Sequence, residues 1–250
     1  MMKKKRRVLV KNGQQLIPFW EDIYDINEIA SRNNFISDKE VHVWQASLDC
    51  IADFYNYLSI EEKLKAGRFR NQRDKQRFIT SHGILRCILG AYIQSDPSSL
   101  KFERTKYGKP WISSYNFEIS IRFNMTHSED IVCFIISKSN DVGIDIEKIK
   151  YDFDWDSIAE LYFSPKEVTD LQVLPRKERI KLFFTLWTRK EALLKALGTG
   201  LSDLENIKGI ENDYMKRNYP LFSFSIGENY QGALAVNNEI SKIRYFRFLS

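Results

Sequence analysis

A chain of 250 residues is long enough to bury a core as one large domain or as two small, closely packed ones, without disulfide staples. The formal charge of +5 is not a nucleic-acid signature: Lys3, Lys4, Lys5, Arg6, Arg7 and Lys11 stand together at the start, and once these six are set aside from the 38 basic residues the rest nearly balance the 33 acidic ones. Cys50, Cys87 and Cys133 are odd in number and lack a CxxC spacing, and His42, His82 and His127 show no metal-ligand spacing, which argues against a zinc site and fits small buried thiols of a reducing compartment.

Residues 1–40 are polar and carry no clear period, so we expect an extension with a solvated, partly disordered basic start. Leu16, Ile17, Phe19, Trp20, Ile23 and Tyr24 offer an apolar strip within it. The apolar stretch after the basic start is broken by Lys11, Asn12, Gln14 and Gln15 before it can act as a signal-peptide core, and no run reaches transmembrane length. The expectation is a cytoplasmic protein with no stable membrane association.

Residues 41–48 alternate with β-branched enrichment and read as a strand. Ser59-Ile-Glu-Glu62 is a capping box that opens a short helix ending near Gly67. A longer helix over 72–93 follows, with Phe78, Leu85, Leu89 and Tyr92 along one side. Residues 118–125 and 131–137 read as strands joined through a polar Thr-His-Ser-Glu-Asp turn, and 142–147 reads as the next strand. Ser164-Pro165-Lys-Glu167 is a second capping box, with proline at the first helical position, where its missing N–H costs nothing. The helix over 176–197 stops at Gly198, a C-terminal cap residue, and 221–226, 232–236 and 243–249 are strand-like.

Both halves thus read strand, two helices, then further strands. The repetition predicts an α+β fold of two similar halves packed about a pseudo-two-fold axis: the extension over 1–40, a first half over 41–140 and a second over 141–250, with no long linker between the halves.

Asp145 and Glu147 lie two apart in an apolar run, so in a strand their carboxylates leave the same face while Ile146 points into the core. Glu191 and Lys195 lie four apart in a helical pattern and share a face with Trp187. Three carboxylates and one lysine can converge, which is the minimum kit for holding magnesium on a phosphate ester and neutralising a leaving pyrophosphate.

Gly108-Lys109-Pro110, Phe123-Asn124-Met125-Thr126-His127-Ser128, Gly143-x-Asp145-x-Glu147, Phe163-Ser164-x-x-Glu167 and Trp187-x-x-Lys190-Glu191-x-x-x-Lys195 occur in order within residues 59–200. Together they resemble the Sfp-type branch of the 4'-phosphopantetheinyl transferase superfamily, the holo-acyl-carrier-protein synthase superfamily. The resemblance implies that superfamily's fold, a monomer of pseudo-dimeric architecture with its active site in the cleft between the halves. It implies transfer of the 4'-phosphopantetheine arm of coenzyme A to a serine of an apo acyl or peptidyl carrier protein, with magnesium as cofactor and adenosine 3',5'-bisphosphate released. Carriers of fatty-acid, polyketide and nonribosomal-peptide synthesis all fit that description.

On this resemblance Asp145, Glu147 and Glu191 are the magnesium ligands, and Glu191, Lys195 and Glu147 are catalytic. The base is either Glu191 or a metal-held water polarised by Glu147 or Glu191. The coenzyme A contacts are Lys65, Arg70, Lys109, Pro110, Asn124, Thr126, His127, Asp145, Glu191 and Lys195. Threonine at 126 replaces the family's usual serine and keeps the hydroxyl; Glu62 stands where a basic residue is common. Lys190 is expected in an ion pair at the surface or just behind the site, and Trp187 in packing. Trp155, Ile158, Leu161, Tyr162 and Phe163, with Lys148, Lys150 and Lys166 nearby, read equally as a carrier-docking strip or as helix core. Two other functions stay open: a coenzyme-A-binding assembly module without chemistry, and an unrelated magnesium-dependent phosphohydrolase.

Overall fold

The computed structural model describes residues 14–26, 36–50, 52–113, 120–152, 154–200 and 218–249; the basic start lies outside them. The strands are β1 (Gln15–Leu16), β2 (Trp20–Ile23), β3 (Glu40–Ser47), β4 (Phe102–Arg104), β5 (Pro110–Ile112), β6 (Arg122–Ser128), β7 (Ile131–Ser137), β8 (Gly143–Lys148), β9 (Leu221–Ile226), β10 (Tyr230–Ala235) and β11 (Lys242–Phe248). The helices are α1 (Ile60–Ala66), α2 (Gln72–Ile93), α3 (Asp156–Tyr162), α4 (Pro165–Gln172) and α5 (Arg176–Leu197).

Apolar alternation on both sheets stacks these elements in four layers. One sheet has the order β2-β11-β3-β7-β6 and the other β1-β9-β10-β8, while β4 and β5 form a separate hairpin. Trp44, Phe134, Ile136 and Phe246 on one face of the first sheet pack with Ile84, Leu85, Ile88 and Leu89 of α2. Its other face, through Val41, Val43, Cys133 and Ile135, meets Ile144, Ile146, Phe224 and Leu234 of the second sheet. The second sheet's remaining face carries Ala233 and Ala235 and packs with Ala192, Leu193 and Ala196 of α5. The chain ends interleave: β11 lies parallel to both β3 and β2, and β1 lies parallel to β9.

Both capping boxes form, and each glutamate has a second task. Ser59 Oγ accepts from the Glu62 N–H (3.2 Å), and Glu62 Oε2 accepts from the Ser59 N–H (3.0 Å) and from Arg86 Nε (2.5 Å). In the second half Glu167 Oε2 accepts from the Ser164 N–H (2.8 Å) and pairs with Lys190 Nζ (3.1 Å). Arg86 follows Gln72 by fourteen positions, and Lys190 follows Arg176 by fourteen; the two halves therefore place a buried cation at the same point of two helices of 22 residues each. Glu62 is thus committed to a structural ion pair. Lys190, expected at the surface or just behind the site, is 0% exposed, because its long aliphatic stem can be enclosed once Glu167 meets its ammonium. Removing one member of such a pair strands the other. Lys190→Ala is therefore expected to lower the unfolding free energy by about 3 kcal/mol, measured by urea denaturation.

The strand expected over 118–125 begins its described course at Arg122 and continues through Ser128, while residues 118 and 119 lie outside the description. Thr126, His127 and Ser128 therefore belong to β6 and not to a turn. Ladder pairing with β7 runs to Ser128↔Ile131, leaving a two-residue loop of Glu129 and Asp130 in which Glu129 has φ 50°. The polar character of this strand end serves the neighbouring β8.

Candidate active site

β6 and β8 are the edge strands of their sheets and lie beside each other, joined by side chains in place of a backbone ladder. Asn124 Oδ1 accepts from the Ile144 N–H (3.1 Å), and Ser128 Oγ accepts from the Lys148 N–H (3.0 Å). Between these bonds, Thr126 Oγ1 donates to Asp145 Oδ1 (3.0 Å) and Ser128 Oγ donates to Glu147 Oε2 (2.9 Å). The period-2 set Asn124, Thr126, Ser128 thus faces the period-2 set Gly143, Asp145, Glu147.

Because Ile144 and Ile146 enter the core between the sheets, Asp145 and Glu147 leave the face that packs on α5. Gly143 permits the close approach: a Cβ there would overlap the Ala192 carbonyl and the Ala196 N–H. α5 brings Lys195 Nζ to 2.7 Å from Asp145 Oδ1 and 3.2 Å from Thr126 Oγ1. Glu191, one turn earlier, is half-buried beside them.

Burial raises the Asp145 carboxyl above its ordinary range, opposed by Lys195 and Thr126. Burial and then the Asp145 charge raise Glu147, opposed by the Ser128 hydrogen bond. Glu191 is pushed up to about 7 by burial and by the charge of Asp145, with Lys195 pulling the other way. Asp145 Oδ2 is buried without a hydrogen-bond partner. An orphaned carboxylate oxygen, on a residue whose charge acts on two further carboxylates, fits a hard divalent cation. Among the described residues no three or more His, Cys, Asp or Glu side chains are grouped so that they could hold a metal ion by themselves; magnesium takes one or two carboxylates and fills its shell with water and phosphate oxygens.

These shifts carry a sign. All three carboxyls bind protons more tightly folded than unfolded, so their contribution to stability is full below the ordinary carboxylate range and is lost as pH rises, through about 7 for Glu191. A cation at the carboxylates opposes that loss. Magnesium is therefore expected to raise the melting temperature more at pH 8 than at pH 5.5, a difference read by paired thermal melts.

Residues 42–139 match a family profile described as 4'-phosphopantetheinyl transferase, N-terminal, and residues 141–236 match that of the 4'-phosphopantetheinyl transferase superfamily. The 4'-phosphopantetheinyl transferase HetI of Nostoc sp. is 36% identical over 173 residues, covering 68% of this chain and 73% of the relative. The chain belongs to the 4'-phosphopantetheinyl transferase superfamily. The transferase Sfp of Bacillus subtilis is 30% identical over 185 residues, 73% of this chain and 72% of Sfp. Another 4'-phosphopantetheinyl transferase of Bacillus subtilis is 35% identical over 146 residues, 58% of this chain and 62% of that relative, so the match spans less than two thirds of its length. The two-half fold and the transferase character are those of an Sfp-type member.

Within this phosphopantetheinyl transferase, Thr126, Asp145, Glu147, Glu191 and Lys195 come together, while the other expected site residues are more dispersed. Asn124 is engaged with the β8 backbone. His127 leaves β6 on the opposite face from Thr126, its edge open to solvent; partial burial of its ring, then Lys195 and Arg77, holds its pKa below the ordinary range. Lys109 Nζ donates to the Ala196 carbonyl (2.7 Å) and reaches the Val142 carbonyl (3.4 Å) and Asp141 (3.5 Å), so it ties the turn of the β4–β5 hairpin to the end of α5 and to the junction of the halves. Its stem lies against Gly198, which closes α5 at φ 69°. Pro110 begins β5 beside it. Lys65 and Arg70 are exposed, with Lys65 Nζ 5.0 Å from the centre of the Phe78 ring.

Of the strip after β8, Trp155 and Phe163 are buried and Ile158 and Tyr162 pack with Phe183 and Trp187, so it is mainly helix core; Leu161 stays 57% exposed. Two residues that stand in the sequence motifs without an assigned role belong to the site's frame: Ser128, which orients Glu147, and Gly143, which admits α5. The matched alternation of 124, 126, 128 and 143, 145, 147 was the available signal for both.

Proposed function

We propose that this transferase moves the 4'-phosphopantetheine arm of coenzyme A onto the serine hydroxyl of an apo acyl or peptidyl carrier protein, with magnesium, releasing adenosine 3',5'-bisphosphate. This is the holo-acyl-carrier-protein synthase reaction. One observation carries the reading: a buried carboxylate, Asp145, has one oxygen held by Lys195 and Thr126 and the other buried without a partner, beside two further carboxylates.

Asp145, Glu147 and Glu191 would hold magnesium, which when bound would supply positive charge to offset that of the pyrophosphate. Thr126 and Ser128 fix the carboxylates by donating to Oδ1 and Oε2. The carrier serine oxygen forms a bond to the β-phosphorus of coenzyme A as the bond from that phosphorus to the bridging oxygen breaks. Glu191, or a water polarised by Glu147 or Glu191, accepts the serine proton. Lys195 supports the charge that gathers on the departing oxygen. The free thiols favour the cytoplasm as the place of this chemistry.

Incubation with coenzyme A, magnesium and an apo carrier protein tests the reading by mass spectrometry. A gain of about 340 Da on the carrier, the mass of the transferred arm, is the expected result. Coenzyme A bound without transfer would indicate a binding module, and coenzyme A cleaved without a mass gain would indicate a hydrolase.

A further inference from the structure

The turn of the β4–β5 hairpin presents Lys109 in a set pose. Gly108 takes φ 87° at its tip. The Gly108 N–H donates to the Thr105 carbonyl (2.9 Å), the Lys109 N–H donates to Thr105 Oγ1 (3.1 Å), and Arg104 Nη1 donates to the Gly108 carbonyl (2.9 Å). The Lys109 side chain is 13% exposed, with its stem against Gly198. Its ammonium meets the Ala196 carbonyl at 2.7 Å, the Val142 carbonyl at 3.4 Å and Asp141 Oδ1 at 3.5 Å. An ammonium has three N–H groups and accepts nothing, and here three protein oxygens stand around the nitrogen to receive them. That leaves no donor over for a phosphate of coenzyme A, the role the family resemblance gives this lysine.

The two backbone partners lie next to the reacting groups. Ala196 follows Lys195, and its carbonyl is among the last of α5, which have no donor within the helix and favour a cation. Val142 precedes Gly143, where β8 begins and α5 comes so near that a Cβ would overlap the Ala192 carbonyl. One ammonium thus pins the end of α5 to the start of β8, the elements that carry Lys195 and Asp145, themselves 2.7 Å apart. We propose that Lys109 is a positioning residue for the transfer: it holds the end of α5 so that Lys195 stays on Asp145 and aimed at the departing oxygen, and its own charge does not bind coenzyme A. The inference rests on the transfer reading.

Steady-state transfer to an apo carrier protein, calorimetry for coenzyme A and ligand-free melts are compared for the wild type, Lys109→Met, Lys109→Arg, Lys195→Ala and the Lys109→Met, Lys195→Ala double variant. Lys109→Met keeps the stem on Gly198 and is expected to lower kcat by about 10- to 100-fold, the scale of a small misplacement of a reacting group. Coenzyme A affinity is expected to stay within about threefold, and Lys109→Arg to recover part of kcat. In the Lys195→Ala background the same substitution is expected to cost less than about threefold, because the group it positions is already gone. A fall in coenzyme A affinity of about tenfold or more, the size of a lost charged hydrogen bond, overturns the inference and makes Lys109 a ligand contact. Equal losses of kcat in both backgrounds also overturn it, since the lysine then acts on the fold at large, and so does an unchanged kcat. Should Lys109→Met not fold, Lys109→Arg carries the same cycle, because its branched end cannot meet three oxygens set around one nitrogen. A wild type that modifies no carrier overturns the transfer reading and this inference with it.

Discussion

Glu191→Gln is expected to slow transfer to the carrier by roughly 10²–10⁴-fold, the usual contribution of a positioned proton acceptor, while coenzyme A affinity changes by no more than a few fold. Glutamine preserves the length and one carbonyl oxygen but cannot take the serine proton. The pKa near 7 is what makes the substitution informative. A carboxylate at its ordinary value would be a weaker base toward a serine hydroxyl, whereas this one is lifted by burial and by the charge of Asp145. The wild-type rate should therefore rise with pH in an arm that Glu191→Gln lacks. Rapid-quench transfer over pH 5.5–8.5, paired with calorimetry for coenzyme A, checks both parts. If affinity and rate instead fall together and excess magnesium restores some of each, Glu191 acts chiefly as a metal ligand. A near-normal rate would remove both roles and leave a water activated by Glu147.

The two long helices were legible from their apolar pattern and, for the second, from Gly198 at its end; the structure adds the caps Asn71 and the left-handed Gln94 on one and Pro175 on the other. The capping boxes were legible too. Their second function was not legible, because Glu62 and Glu167 each meet a cation on another helix, and no local pattern reports that pairing. β6 was cut short in the reading because polar residues at its end look like a turn; their partners are the carboxylates and N–H groups of β8. The insertion of β11 parallel to β3, between chain segments about two hundred residues apart, likewise leaves no signature in either strand. The repeated helix positions of Arg86 and Lys190 extend the internal comparison to the site itself. One position further along, Glu191 falls opposite Cys87, and Lys195 falls opposite Ala91. The duplicated scaffold therefore carries the acid–base pair on only one of its two long helices.

Asp145→Ala is expected to lower transfer by about 10³-fold or more, equivalent to several kcal/mol of lost charge stabilisation, and to remove the magnesium-dependent part of coenzyme A binding. The fold should survive. Asp145 is a carboxylate that its surroundings disfavour in ionised form, so deleting it relieves a desolvation penalty while it breaks the bonds to Thr126 and Lys195. Lys195 is 28% exposed at its side chain and can regain water, which limits the loss to about 1–2 kcal/mol. A variant that melts near the wild type yet shows no magnesium effect on coenzyme A binding would fit this account. Lys195→Ala supplies the contrast: it removes the same ion pair but leaves the orphaned oxygen of Asp145 in place, so magnesium dependence should persist while the rate falls. Unaltered magnesium dependence in Asp145→Ala would instead move the metal onto Glu147 and Glu191, and Asp145 would remain only as the anchor that points Lys195 toward the departing phosphate.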